Sequence, residues 1–229
     1  MNRRSTALVS LAVALGVVGS GCSSDEQPGD SVATTVGGVV STTTPTIETT
    51  STTVLLEPTT TVPTPIPVFV FPTPDDVNEW FVVNDTVMGG VSSGQLVWED
   101  DALVFTGDLS LDNNGGFASV RSPLLDPTAV AGWADRDGMR IEVGGDGREW
   151  TVEVRMDFGD GGGWISELST SADEFVVVDV PWTTFEPVTR FLDPRQTTET
   201  LDPARIVSIA FYLVDGIEAP FRLELRSIT

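Results

Sequence analysis

The chain contains no histidine and no lysine, and only one cysteine and one tyrosine, among its 229 residues. Without an imidazole, neither a Ser-His-Asp nor a Cys-His pair can be built, because both need that ring as the base. With no His and a single Cys, zinc, haem and iron–sulfur centres also lose their usual ligands. No catalytic group, no metal and no cofactor is therefore expected. A lone cysteine cannot close a disulfide within the chain, so stability must come from a packed core. All twelve cations are arginine and face thirty-four carboxylates, for a formal net charge of −22. A surface this acidic repels phosphate backbones, which speaks against nucleic acid as a partner, and it repels anionic lipid head groups as well.

Long apolar runs are also missing. The longest, Ala7 to Val18, falls short of the roughly 20 residues a spanning helix needs. Arg3 and Arg4 precede it, and Gly19, Ser20 and Gly21 follow it directly ahead of Cys22. That layout predicts a signal peptide over 1–21, cleaved before Cys22, whose thiol then takes a diacylglyceryl group. The mature protein is expected on the extracytoplasmic face of the cell membrane, held there through the lipid anchor.

Residues 22–74 differ in composition from residues 75–229. Fourteen of the thirty-four residues from Ser31 to Thr64 are Thr, and no Lys or Arg occurs between Ser23 and Pro74. Such a segment buries too little apolar surface to offset its ordering entropy and reads as a disordered tether. It serves either as a spacer through a wall matrix or as a plain linker. The apolar VFVF at 68–71 is its last stretch or the first strand of the domain.

From 75 to 229 short β runs alternate with Gly, Asp and Pro. LVFTGDLS at 103–110, GMRIEV at 138–143, TVEVRM at 151–156, FVVVDV at 175–180, IVSIAFYLV at 206–214 and FRLELRSI at 221–228 carry the period of a strand. About nine or ten strands predict one antiparallel β-sandwich domain, all-β apart from a helical turn in TAVAGWADRDG at 128–138. It is expected to be a monomer.

Several features invite a site. Asp146-Gly147 sits between two alternating runs and reads as a hairpin turn rather than a phosphate loop, since no helix follows it. Arg148 pairs with Asp146, Asp85 or Glu149, or donates its fork to a ligand. Asn84, Asp85 and Asn114, among Gly89, Gly90, Gly115 and Gly116, are expected to gather with Arg148 on one surface, either as a ligand site or as an architectural lock. Asp157 and Asp160 in DFGDGGGW suggest calcium but lack the spacing of a calcium loop, so a flexible hairpin loop is the reading there. Carboxylate pairs such as Asp157 with Glu167 are the candidates for acid–base work, with no partner residue to single them out. Six tryptophans, Trp80, Trp98, Trp133, Trp150, Trp164 and Trp182, are mostly core, with a sugar-stacking face as the alternative.

The blocks NDTVMGG at 84–90, FTGDLSLDNNGGFASVR at 105–121, GMRIEVGGDGREWTVEVR at 138–155, VPWTTF at 180–185, LDPARIVSIAFYL at 201–213 and FRLELRSI at 221–228 stand in one order along 75–229. In that order they resemble the complex I intermediate-associated protein 30 family. The resemblance implies a galactose-binding-domain-like jelly roll and a role in assembly or binding. Eukaryotic members of that family help assemble respiratory complex I, a role that an extracytoplasmic lipoprotein cannot inherit directly. Three roles are open to the chain: a non-catalytic module for envelope proteins, a carbohydrate-binding module for wall or environmental glycans, or an enzyme.

Overall fold

The computed structural model describes residues 66–156, 162–172 and 174–229. Cys22, the Thr-rich segment, Asp157 and Asp160 lie outside the described residues. Two six-stranded antiparallel sheets face one another. The first has the order β3 (Ser93–Glu99), β4 (Ala102–Leu109), β12 (Ala219–Ile228), β6 (Gly138–Gly145) and β9 (Val176–Pro181), and β1 (Phe69–Val70) pairs with the end of β12. The second has the order β10 (Glu186–Val188), β8 (Gly163–Ser169), β7 (Glu149–Arg155), β11 (Ser208–Leu213), β5 (Ala118–Arg121) and β2 (Phe81–Asn84). The β-sandwich expected from the strand pattern is present.

The alternation of the sequence fills the space between the sheets. Leu103 and Phe105 of β4, Ile141 and Val143 of β6, and Leu223 and Leu225 of β12 join Val152 and Val154 of β7 and Ile209 and Phe211 of β11 in one buried cluster. Successive side chains of a strand point to opposite faces, so one face of each sheet is committed to this core. Trp80, Trp133, Trp150 and Trp164 are buried in it. Trp98 and Trp182 pack half-buried against it, so none of the six presents a bare ring to solvent. The helical turn expected at 128–138 is α2 (Pro127–Val130), capped by Asp126 accepting from Thr128 N at 2.8 Å, and a 3-10 turn over Ala131–Asp135.

The described fold begins ahead of Asp75. Phe69 lies opposite Ile228, Val68 N donates to Ile228 O at 2.7 Å, and α1 (Pro74–Asn78) spans residue 75. Phe69–Val70, the middle of VFVF, is thus the first strand. The structure also corrects the hairpin expected at Asp146-Gly147. The edges of β6 are taken by β12 and β9, and those of β7 by β11 and β8, so the turn carries the chain from one sheet to the other. Gly147 has φ +82°, as the turn requires. The Asp146 carboxylate braces this corner, accepting from Arg148 N at 3.0 Å and from Arg222 N on β12 at 2.8 Å. The strands flanking 157–161, β7 and β8, do form a hairpin.

Strand register gives the sandwich two distinct ends. Ala219 pairs with Leu109, and the Asp146 corner, Leu213, Ala118 and Asn84 lie at that same end. Ile228 and Phe69 mark the opposite one.

Candidate functional site

At the Ala219 end the polar residues singled out by sequence form two separate assemblies. Asp85 is the hub of the first. Its side chain is wholly buried and accepts from Ser92 N at 2.9 Å, Ser92 Oγ at 2.5 Å, Gly116 N at 2.8 Å and Phe117 N at 3.3 Å. Burial pushes this carboxyl up, but the bonds from Ser92, Gly116 and Phe117 outweigh it and hold the group below the ordinary range. A side chain on Gly90 or Gly115 would collide with the carboxylate. NDTVMGG and NNGGF are therefore distinctive for one reason: they wrap a buried anion. Asn84 is buried beside Asp85, and its Oδ1 has no hydrogen-bond partner among the described residues. Asn114 is exposed in the 3-10 turn Asp112–Asn114 with φ +61°, a conformation that asparagine tolerates.

Arg148 is the hub of the second, and its partner is none of the three candidates. Nε and Nη2 reach the two oxygens of Asp215 at 2.8 and 2.6 Å, Nη2 also reaches Ile217 O at 2.6 Å, and Nη1 reaches Ala219 O and Pro220 O at 3.2 and 3.1 Å. With the whole fork committed and the side chain 10% exposed, no donor is left for a ligand. Burial pushes the Asp215 carboxyl up, while the Arg148 fork and Ile217 N bring it below its ordinary value. No hydrogen bond joins Arg148 to Asn84, Asp85 or Asn114 among the described residues. The cluster expected as one surface is thus two architectural locks, the second of which includes Asp146.

A concave feature that combines apolar wall with cations lies on the outer face of the second sheet, a groove of about 500 Å³. Val83, Val87, Met88, Phe117 and Val214 supply apolar wall, and Arg121, Arg155 and Arg190 supply charge. Val87, Met88, Val214 and Phe191 are exposed large hydrophobics. Buried Tyr212 forms part of the lining. Its hydroxyl donates to Glu153 Oε2 at 3.0 Å, and Arg155 Nη2 donates to Glu153 Oε1 at 2.9 Å. Burial and the Glu153 charge push the Tyr212 phenol up to about 12, against a smaller opposing pull from Arg121 and Arg155. The Arg121 guanidinium stands 5.4 Å from the centre of the Tyr212 ring, and that of Arg190 stands 4.5 Å from the centre of Phe191.

The loop carrying Arg190 and Phe191 is held in an unusual shape. Leu192 has φ +64°, Leu192 N bonds Thr189 O at 3.0 Å, and Thr189 N bonds Asp193 O at 2.8 Å. A leucine in left-handed backbone is strained, and strain of this kind gathers at working surfaces. None of these groove residues was singled out from sequence. The one available signal was Glu153 with Arg155, two charges on one face of the apolar run TVEVRM, which reads equally well as a solvated strand face. Among the described residues, no group of acidic side chains could hold a metal ion.

The fold is similar to that of a family 11 carbohydrate-binding module of the cellulosomal cellulase Lic26A-Cel5E of Clostridium thermocellum. The identity is 16% and the TM-score 0.47, over 65% of this chain and 88% of that one. It is similar also to a family 30 carbohydrate-binding module, at 13% identity and TM-score 0.34, over 61% of this chain and 91% of that one. A third likeness is to an agarase, AgWH50C, at 12% identity and TM-score 0.45, over 72% of this chain but 24% of that one. Likenesses this distant say nothing of a ligand. No curated protein matches the chain. The family model for complex I intermediate-associated protein 30 matches residues 69–225, which covers both locks and the groove. The chain belongs to the complex I intermediate-associated protein 30 family.

Proposed function

We propose that this protein is a non-catalytic binding module that takes a protein partner of the cell envelope in the groove of its second sheet. It is held on the extracytoplasmic face of the membrane by a lipid on Cys22. The observation that carries this reading is the exposure of Val87, Met88, Phe191 and Val214 around one concavity. Exposed apolar side chains gathered at one place mark interaction surfaces. Methionine and arginine are residues that such surfaces favour. A glycan site is supported less well, because the six tryptophan rings are packed in or against the core and leave Phe191 as the exposed ring of the groove.

Site-specific photo-crosslinking in intact cells tests the reading. A photoreactive residue in place of Met88 is expected to trap a defined envelope protein, while the same residue in place of Gln95, on the other sheet, traps none. No adduct at Met88, together with binding of wall glycan by the purified protein, would shift the function to the carbohydrate reading. The anchor has its own test. Cys22→Ser is expected to leave the protein unprocessed or released from the membrane, and unchanged membrane association of that variant would remove the lipoprotein reading.

A further inference from the structure

The groove holds three of the twelve arginines of a chain with thirty-four carboxylates. Their partners differ. Arg155 is neutralised by Glu153. Among the described residues, Arg121 and Arg190 have no carboxylate partner, and Arg121 Nε is buried without any hydrogen-bond acceptor. Their guanidinium groups are placed by ring faces instead, Arg121 over Tyr212 and Arg190 over Phe191. A planar cation lying on an aromatic ring keeps its edge N–H groups free for a forked bond to a carboxylate. The Tyr212 ring that places Arg121 is itself fixed through its hydroxyl to Glu153. Gly163 makes room for that carboxylate, because a side chain there would run into it.

Resting on the reading of the groove as a protein-binding site, we infer that its occupant is an acidic, aliphatic peptide segment whose carboxylates are received by Arg121 and Arg190. Aliphatic side chains of the same segment lie against Val87, Met88 and Val214. Charge complementarity argues for the acid, since cations that have no carboxylate partner among the described residues, on a strongly anionic protein, draw carboxylates and repel the cationic segments that the rest of the surface would attract. The apolar wall argues for a peptide over an acidic sugar, because Val87, Met88 and Val214 match alkyl side chains, and one face of the exposed Phe191 ring is taken by the Arg190 guanidinium.

The test uses the full chain and short end-blocked fluorescent peptides in fluorescence anisotropy. One peptide alternates leucine with glutamate, a second has glutamine in place of glutamate, and oligogalacturonate serves as the acidic sugar. The glutamate peptide is expected to bind about tenfold or more tightly than the glutamine peptide, the difference made by charge-assisted bonds, and to weaken as salt rises. Arg190→Gln, at an exposed position, and Arg121→Gln should each lower its affinity about tenfold, while Arg140→Gln, on the other sheet, should not. Should Arg121→Gln fail to fold, Arg190→Gln alone decides. Equal binding of the two peptides, no binding of the glutamate peptide, tighter binding of oligogalacturonate, or an unchanged affinity in Arg190→Gln would overturn the inference. If Met88 crosslinks persist in any of those cases, the acidic-peptide inference falls and the protein-binding reading stands. If they are absent, both fall.

Discussion

Oδ2 of Asp85 accepts the backbone N–H of Gly116 at 2.8 Å, joining the segment after β2 to the segment before β5 from a side chain with no exposed surface. The partners found for this charge are N–H and O–H dipoles rather than a cation. Removing it leaves several buried donors without an acceptor, each a loss of about 1–3 kcal/mol. Asp85→Ala is accordingly expected to destabilise the domain by more than about 3 kcal/mol in urea unfolding. Gly90→Ala should be comparably harmful, since its new methyl meets the same carboxylate. The double variant should be far less than additive. Additive losses would show that Gly90 and Asp85 do not serve one lock.

Acid should act through the same group. Asp85 and Asp215 both have folded values below the ordinary 3.8. A depressed carboxyl contributes stability that is fully present above the unfolded value and is lost as pH falls through the folded one. Unfolding free energy should therefore decline below about pH 4, and Asp85→Asn should flatten that decline while lowering stability at neutral pH. An identical acid limb in the variant would contradict the assignment.

Arg148 should behave as scaffold. Breaking its pair with Asp215 strands a carboxylate that is 11% exposed, and Arg148→Ala is expected to cost roughly 3–5 kcal/mol. Arg148→Lys should rescue little, because an ammonium cannot span Asp215 and three carbonyls at once. A small stability loss with weakened partner binding would return Arg148 to the ligand site.

Tyr212 is the only tyrosine, so phenolate absorbance reports one residue in the groove. Its titration should be displaced from 10.0 to about 12. Glu153→Gln should bring it down and Arg121→Gln should raise it further, by the signs of the charges removed. A folded value raised above the unfolded one means stability held below about pH 10 and lost as pH climbs through the folded value. Overlapping titrations of wild type and Glu153→Gln would break the coupling between the phenol and the carboxylate.

Leu192 offers a separate test of the loop. Leu192→Gly relieves the φ of +64° and should gain up to about 1 kcal/mol of stability while loosening the presentation of Arg190 and Phe191. Higher thermal stability with weaker peptide binding is the expected pair of results.

The strands were legible because alternation at a period of two needs no knowledge of partners, and IVSIAFYLV and FRLELRSI both became central strands. The Asp146 corner was not. A glycine with positive φ between two alternating runs looks the same whether the chain folds back in one sheet or crosses to the other, and only the neighbours of β6 and β7 decide between them. Asp85 was legible as special, but its donors at Ser92, Gly116 and Phe117 were not, and Arg148 found its partner 67 residues away. The groove was least legible of all. It is assembled from separated segments, and the loop that carries Arg190 and Phe191 has no period to read.

The pairing of Phe69 with Ile228 has a mechanical consequence. The chain joins the sandwich at one end of the strands, while Val87, Met88, Phe117 and Val214 adjoin the other. Tension between residue 66 and the groove therefore runs along the strands, across ladders whose hydrogen bonds lie perpendicular to them. Rungs loaded in this way resist together instead of opening one after another. The two-residue β1 is the shortest ladder on that path and yields first, releasing slack ahead of α1 while the groove keeps its shape. The domain can give at its entry strand under a pull while the far end of the sandwich stays whole.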